Sequence, residues 1–241
     1  MAKISAKNLI LLLNGYVFST YASSYEATKD AGALDVTGFT DQNKNFTPGL
    51  PTSEMSATMF WDSDAGKTAQ VLAPFTNGVM TVIPEGYYLG CPTLSLPYMQ
   101  GNYAPKGTPS SALEVGTIKF LDYGSNYGIE YGVALAHGVI TATTTGTGVQ
   151  DPAGADVTAV CVGTLHIWTA TITDTYVVKI QHSTTLGTGY SDLITFVSNG
   201  TTVGVERIQN ASGVIHQYRR VLATRTGTGD NFGFSVHFWH N

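Results

Sequence analysis

The stretch LDVTGFTDQNKNFTPGLPTSEMSATMFWD, residues 34–62, indicates the fold class of the chain. In its second part Met55, Ala57 and Met59 alternate with small polar residues, which predicts a strand with one buried face. Residues 33–39 predict another strand. Residues 40–51, between the two strands, form a loop much longer than a hairpin needs, and such loops in compact domains are usually functional or disordered.

The loop and the residue just before it carry three apolar side chains, Phe39, Phe46 and Leu50, that a purely solvated segment does not need. Because apolar surface is stabilised by removal from water, we expect the loop to become ordered by packing on another copy of the protein. The stretch therefore predicts a β protein that assembles with itself.

The composition of the 241-residue chain favours β structure and covered surfaces. It contains 33 Thr, 13 Tyr and 27 Gly, while charged residues make up only 12%, against about a quarter in ordinary soluble proteins. The net charge of −5 argues against a protein that grips nucleic acid, because such binding needs clustered Lys and Arg. Before Gly148 the chain has seven Lys, no Arg and eleven acidic residues, which indicates two parts with different surroundings.

Several local signals lie outside the opening stretch. The dipeptide Asn14-Gly15 follows an apolar run and predicts a type I′ hairpin turn, since both central residues of that turn need positive φ. A short helix is predicted over residues 65–73, with N-cap candidates at residues 62–64 and a stop at Pro74. Residues 87–109 contain four prolines and three glycines and predict irregular structure.

Beyond residue 156 the pattern becomes one of short strands separated by polar turns, typical of an antiparallel sandwich. Six strands are predicted, at residues 157–172, 176–182, 191–196, 203–208, 214–222 and 232–239. The Gly- and Thr-rich residues 143–156 predict an interdomain linker or exposed loop. The expected fold is all-β. Residues 1–146 would form a sandwich or barrel with one short flanking helix and a long inter-strand loop. Residues 147–156 would be a linker, and residues 157–241 a jelly-roll or immunoglobulin-like sandwich.

No motif in the chain predicts an enzyme, a cofactor or a metal site. The P-loop-like residues 65–68 have Trp61 where the motif needs Gly. Asp62 and Asp64 lack the later acidic ligands of a calcium loop, and the six histidines do not form a close zinc-type pair. Cys91 and Cys161 allow at most one disulfide, and free thiols are the favoured prediction. The apolar start is too short for a secretion signal, and no run approaches a membrane span.

A second function class stays open at this point. The C-terminal part could be a small sandwich that binds carbohydrate with aromatic residues such as Tyr190 and Trp239, although the same residues suit core and edge positions. Such a protein would decorate a virion or act in surface adhesion. A β-sandwich hydrolase without a recognisable motif is a third alternative.

The order of features along residues 1–145 resembles the major tail protein, or tail tube protein, of long-tailed bacteriophages. Its most specific parts are residues 35–39 (DVTGF), 48–50 (PGL) and 60–62 (FWD), which are followed by the short helix. The resemblance implies a β-sandwich that joins edge to edge into rings, usually hexamers, which stack into a tube. The C-terminal part resembles the β-sandwich domains that decorate phage tails.

The resemblance also implies partners, a location and contact residues. The tube would be a conduit for DNA without specific binding, would enclose a tape-measure protein, and would meet tail tip and terminator proteins. The protein would belong to the virion tail and be assembled in the host cytoplasm, without a membrane. The loop would reach a neighbouring subunit or ring through Phe39, Asn43, Phe46, Pro48 and Leu50. Glu26, Asp30 and Asp35 would flank the lumen.

Overall fold

The computed structural model describes residues 8–38, 42–107, 113–125, 127–152, 154–170, 173–198 and 200–241. Over these residues the chain forms eighteen strands and one short helix, which confirms the all-β prediction. In chain order they are β1 (Ile10–Leu13), β2 (Tyr16–Val17), β3 (Ala22–Asp30), β4 (Ala33–Asp35), β5 (Phe46–Pro48), β6 (Thr52–Phe60), α1 (Thr68–Leu72), β7 (Asn77–Ile83), β8 (Pro92–Gln100), β9 (Glu114–Asp122), β10 (Glu130–Ile140), β11 (Thr144–Thr145), β12 (Val149–Gln150), β13 (Val157–Thr169), β14 (Thr175–Ser183), β15 (Ser191–Thr195), β16 (Gly204–Ile215), β17 (Tyr218–Thr226) and β18 (Phe232–His240).

The chain divides into two compact units that do not follow its linear order. One, here the sandwich unit, comprises Met1–Thr20, Val79–Ser95 and Glu130–Asn241. The other, here the arm unit, comprises Tyr21–Gly78 and Leu96–Ile129. This division differs from the predicted cut at residues 147–156. The assignment of residues 1–146 to a tube and of residues 157–241 to its outer face stays a prediction.

The sandwich unit contains two sheets. The first has the strand order β16-β13-β18-β10-β8-β7-β1-β2, and the second has the order β11-β17-β14-β15 with β12 also on β17. Alternate residues of β13, β18, β14 and β17 form one apolar core, which includes Leu165, Val178 and Val236. Tyr176 stacks on Phe232 with ring centroids 4.4 Å apart inside this core. The core explains why both sheets are stable, because each buries one face against the other.

One glycine in this core allows the sheets to approach closely. A Cβ on Gly163 would lie 2.8 Å from Ile180 Cδ1 and 2.9 Å from Ile194 Cδ1. Any larger residue at this position of β13 would therefore push against side chains of β14 and β15.

The first hairpin has the predicted turn. Asn14 and Gly15 have φ of 50° and 84°, as the type I′ geometry requires. Gly15 is also restricted by space, because a Cβ there would lie 2.4 Å from the carbonyl oxygen of Gly204. The preceding apolar residues of β1, Leu11 to Leu13, are completely buried.

Two histidines, His166 and His237, are fully buried in the sandwich unit, with ring centroids 5.8 Å apart. His166 Nδ1 accepts a hydrogen bond from the Gly15 N–H, so the neutral ring carries its proton on Nε2, which donates to Thr81 Oγ1 at 2.9 Å. Burial, reinforced by the proximity of His137, lowers the pKa of His166 to about 3. Burial also lowers the pKa of His237. Both rings are therefore neutral near pH 7.

The arm unit is built on the antiparallel order β3-β6-β9, with β9 paired to the end of β8. One face of β6 is buried through Met55, Ala57 and Met59, as the alternation predicts. Below this face, Tyr98 and Phe120 pack edge to face at 4.8 Å. The other face of the sheet is polar.

The helix begins later than predicted. Helix α1 spans Thr68–Leu72, its N-cap is Lys67, and no side chain caps its first turn. Asp62 does not cap α1, because its carboxylate accepts the N–H of Asp64 at 2.9 Å and closes a tight turn before the helix. Thr68 holds the helix start, since its hydroxyl donates to the carbonyl of Phe60 at 2.8 Å.

Residues 87–109 are not irregular throughout, because β8 lies within them. Pro92 is the first residue of β8, where a missing N–H is tolerated. Pro97 lies between Ser95, which pairs with β10, and Tyr98, which pairs with β9. Both prolines therefore occupy positions that a strand can accept, and the proline count alone misled the prediction.

The predicted linker, residues 147–156, is part of the sandwich unit. Val149 and Gln150 pair with β17 opposite Arg219 and Tyr218. The N–H of Asp151 donates to the carbonyl of Gln217 at 2.7 Å, and Asp151 is buried. Gly- and Thr-rich composition predicted a free connection, whereas these backbone groups are satisfied by a sheet edge.

The last strands also differ from the predicted boundaries. The predicted strand at residues 214–222 is interrupted, because β16 ends at Ile215 and β17 begins at Tyr218. The carboxylate of Asp156 holds the connection by accepting from His216 Nδ1 at 2.8 Å and from the N–H of Gln217 at 2.9 Å. Both cysteines are free, as predicted. Both are also buried, and burial raises the pKa of Cys161 to about 11.

Candidate assembly surface

The predicted long loop is largely a two-stranded ribbon. Strands β3 and β6 pair as far as Asp30 and Thr52, and β4 and β5 then continue as a separate small sheet with Leu34 opposite Thr47. We call residues 31–38 and 42–51 the ribbon. It lengthens the hairpin of the arm unit well beyond the strands that line its core.

The ribbon exposes large apolar side chains. Leu34 and Phe46 are each 58% exposed, and Leu50 is 91% exposed. Leu34 and Phe46 point to opposite faces, because Leu34 pairs with Thr47 while Phe46 pairs with Asp35. A two-stranded hairpin without a covered face is only marginally stable in water. The ribbon therefore has the properties of a segment that is completed by a partner.

Polar contacts define the local shape of the ribbon. Asp30 Oδ1 accepts the N–H of Gly32 at 2.9 Å, and Asp35 Oδ1 accepts the N–H of Thr37 at 3.0 Å. The Thr37 hydroxyl also donates to Asp35 and accepts the N–H of Asn45 at 2.9 Å. The two hydrogen bonds from Thr37, the one from its hydroxyl first, lower the pKa of Asp35. They set the conformation of the ribbon but bury little of its apolar surface.

The predicted contact residues fall mainly on this exposed ribbon. Asn43, Phe46 and Leu50 belong to its described part, and the first two are exposed to solvent like Leu50. Pro48 is a residue of β5 and pairs with Ala33. Phe39 lies outside the described residues. Their role in a contact between subunits stays a prediction.

Sequence reasoning missed Leu34 and Val36 as surface residues. Val36 is 54% exposed, and its N–H donates to the carbonyl of Asn45 at 2.9 Å, which extends the ribbon by one residue. Both alternate with the polar residues Asp35 and Thr37, a pattern that resembles a half-buried strand.

Two of the three predicted lumen residues share the polar face of the arm unit. Glu26 and Asp30 are exposed residues of β3. Their positions along the strand differ by an even number of residues, so their side chains lie on the same face. On the adjacent strands this face carries Glu54 and Lys119, whose charged groups are 2.9 Å apart. The face therefore holds three carboxylates and one lysine, while Asp35 belongs to the ribbon. The assignment of Glu26, Asp30 and Asp35 to a lumen stays a prediction.

Within the described ranges, no three His, Cys, Asp or Glu side chains lie close enough together to hold a metal ion. Among the same residues, no helix is both long and apolar enough to cross a membrane.

No protein-family model and no curated protein matches this chain. Some solved structures show partial similarity. A chain from the virion of a native gene transfer agent particle aligns with a TM-score of 0.42 and 14% identity, over 54% of this chain and 98% of that chain.

A chain from the tail of an empty gene transfer agent particle, computed with helical refinement and C6 symmetry, aligns with a TM-score of 0.41, again at 14% identity and over the same shares. The Dit protein of phage SPP1, described as a hub of the adsorption apparatus in phages that infect Gram-positive bacteria, aligns over 97% of this chain and 99% of that chain. Its TM-score is 0.33 and its identity 10%. These TM-scores are too low to support a functional assignment.

Proposed function

We propose that the protein is a structural component of a phage tail, whose subunits join into rings that stack into the tail tube. The observation that carries this proposal is the ribbon, which exposes Leu34, Phe46 and Leu50 without a covering segment among the described residues. The sequence resemblance of residues 35–39, 48–50 and 60–62 to major tail proteins agrees with it. In this assignment the ribbon packs on a neighbouring subunit or ring.

The energetics of the ribbon favour assembly. Full burial of one large apolar side chain stabilises by about 1.5–3 kcal/mol. Leu34, Phe46 and Leu50 together therefore offer several kcal/mol to each contact, from which the ordering of side chains must be subtracted. In a closed ring or a stack, each subunit donates the same ribbon and receives another, so this gain is repeated at every contact.

The polar face of the arm unit supports the role of a conduit. Its charged side chains are Glu26, Asp30, Glu54 and Lys119. A lumen lined mainly by carboxylates repels the phosphates of passing DNA, whereas clustered Lys and Arg would hold them. The proposed partners are further copies of the chain, a tape-measure protein inside the tube, and tip and terminator proteins at its ends. The proposed location is the virion tail.

Negative-stain electron microscopy of the purified protein tests the assembly. We expect stacked rings or tubes of uniform diameter, and a persistently monomeric protein at high concentration would contradict the proposal. The variant Leu50→Asp should abolish tubes, because it places a charge in the proposed contact.

Val197→Asp is the matched control. Val197 is 86% exposed in the sandwich unit, so the same substitution there should leave the tubes intact. Tube formation by Leu50→Asp would contradict the assignment of the ribbon to the contact. Loss of tubes in both variants would contradict it as well, because the effect would not be specific to the ribbon. Deletion of residues 42–49 should likewise leave folded subunits that do not assemble.

A further inference from the structure

The connection between β16 and β17 is held by a pair of histidines and an aspartate. The ring of His182, on β14, stacks on that of His216 with the centroids 4.5 Å apart and 28° between the ring planes. His182 is 9% exposed and lies opposite Arg219 in the pairing of β14 with β17. His216 lies in the connection itself, and its Nδ1 is 2.8 Å from the carboxylate of Asp156.

One hydrogen bond of the connection depends on the protonation state of His182. The Nδ1 atom of His182 accepts the backbone N–H of His216 at 3.1 Å. Only a neutral ring can accept this bond, because Nδ1 of an imidazolium carries a proton and is itself a donor. Protonation of His182 would therefore place two N–H donors against each other. A neutral ring keeps the connection closed, and a charged ring is incompatible with the same geometry.

The connection also fixes the chain that precedes β13. The carbonyl of Gln217 accepts the N–H of Asp151 at 2.7 Å, and the N–H of Gln217 donates to the carboxylate of Asp156 at 2.9 Å. Because Gln217 follows His216 directly, release of the His216 N–H loosens both of these hydrogen bonds. Opening of the connection would therefore reach residues 151–156.

The groups around His182 set the direction of its response to pH. The charged and titratable groups of this region are His216, Arg219 and Asp156, with Asp151 paired to Arg219 and His240 paired to Asp151. Burial, followed by His216 and Arg219, lowers the pKa of His182, and Asp156 opposes this shift. The closed connection therefore favours the neutral ring. Its stability is fully present above the ordinary histidine pKa of about 6.5 and is lost as the pH falls toward the lowered value.

We propose that His182 is an acid-sensitive switch, which holds the β16–β17 connection and residues 151–156 in place at neutral pH and releases them in mild acid. His166 also accepts a backbone N–H, that of Gly15, but its pKa of about 3 keeps that ring neutral in mild acid. The switch is therefore local to the β16–β17 connection. It does not depend on the ribbon, so its failure would leave the tube proposal untouched.

Amide hydrogen exchange followed by NMR on the full-length protein, from pH 7.5 to pH 5 and corrected for the intrinsic rates, tests the switch. The protection of the His216 amide should fall at least about threefold more than that of Val178, a core residue of β14. The ring nitrogens of His182 should show protonation in the same pH range by their ¹⁵N chemical shifts. Equal falls at both amides, or a protonated His182 with an unchanged His216 amide, would overturn the proposal.

Two variants separate the switch from a general effect of acid. His182→Asn places an amide oxygen near the position of Nδ1, so the acceptor for the His216 N–H is kept but no longer titrates. In this variant the His216 amide should keep its protection down to pH 5. His240→Gln removes another histidine of the same region and leaves His182 unchanged, so it should respond to pH like the wild type. Persistent pH dependence in His182→Asn, or its loss in His240→Gln, would contradict the assignment.

Discussion

Two hairpins of this chain have the same antiparallel pairing but differ in how far their apolar side chains are buried. The first, β1–β2, turns at Asn14-Gly15 and buries Leu11 to Leu13 completely within the sandwich unit. The ribbon, β4–β5, pairs just as regularly but leaves Leu34 and Phe46 more than half exposed. The first hairpin is stabilised by its own chain, whereas the ribbon has apolar surface left for another molecule.

Matched leucine truncations should show the largest difference between the two hairpins. Leu12→Ala should lower the free energy of unfolding by about 2–5 kcal/mol, because it leaves a cavity in a closed core. Leu50→Ala should change the stability of the isolated subunit by less than about 0.5 kcal/mol, since Leu50 is 91% exposed. Urea denaturation of dilute protein measures both. A large loss in Leu50→Ala would mean that the ribbon is covered within the subunit.

The sandwich unit and the ribbon also differ in how far their aspartate hydrogen bonds are shielded from water. Asp174 is buried, accepts the N–H groups of Thr228, Gly229 and Asp230 at 2.7–3.0 Å, and pairs with Arg225 Nε at 2.7 Å. Asp174→Ala leaves these N–H donors without an acceptor and removes the carboxylate that pairs with the largely buried Arg225, so we expect a loss of about 3 kcal/mol.

Asp35→Ala is the counterpart in the ribbon, where the carboxylate accepts similar hydrogen bonds but is exposed to water. Its thermal unfolding should match that of the wild type, because water replaces the lost acceptor. Equal destabilisation by Asp174→Ala and Asp35→Ala would contradict the difference between the two regions.

Acid should act on the sandwich unit before the arm unit. All six histidines lie in the sandwich unit, and burial lowers the pKa of His166 to about 3. The His166 ring binds a proton below about pH 6.5 in the unfolded chain but only near pH 3 in the folded chain, so the stability that depends on its neutral form is fully present above pH 6.5. It falls as the pH decreases toward 3, by about 2 kcal/mol at pH 5 for His166.

Hydrogen exchange followed by mass spectrometry at pH 7 and pH 5, corrected for the intrinsic rates, resolves the two units. Peptides of β13 and β18 should lose protection first, and His166→Gln should reduce the pH dependence. Equal loss in β6 and β9 would show that the two units do not differ in this respect.

The smallest expected effect concerns the polar face of the arm unit. The ion pair between Lys119 and Glu54 is 2.9 Å long, but its side chains are 55% and 36% exposed. Lys119→Gln should therefore cost about 0.2–1 kcal/mol at low ionic strength and almost nothing at high salt, because the charges are screened. Thermal unfolding at two salt concentrations checks this. A larger, salt-independent loss would indicate that the pair is shielded from solvent.

Local signals in the sequence predicted local structure well. The Asn14-Gly15 turn follows from the backbone freedom of two adjacent residues, and β6 follows from its alternation of Met55, Ala57 and Met59 with polar residues. Strand β8 was missed because Pro92 and Pro97 are acceptable only where the ladder needs no N–H. That condition depends on neighbouring strands that are distant in sequence.

The candidate surface was predicted in part for the same reason. Phe46 and Leu50 stood out as apolar residues in a polar segment, so their exposure could be anticipated. Leu34 could not be separated from a core residue, because a strand pattern does not say whether a covering layer exists. The contacts of His182 were also invisible in the sequence, since His182, His216 and Asp156 come together only through the pairing of distant strands.

Residue types and their spacing therefore establish the all-β class, the first hairpin and the apolar character of the segment that forms the ribbon. These properties depend on backbone preferences and side-chain alternation over a few residues. The division into sandwich and arm units, the use of residues 147–156 as a sheet edge and the exposure of Leu34 depend on long-range strand pairing. Long-range pairing is determined by how all the apolar faces are buried together, which no short segment specifies.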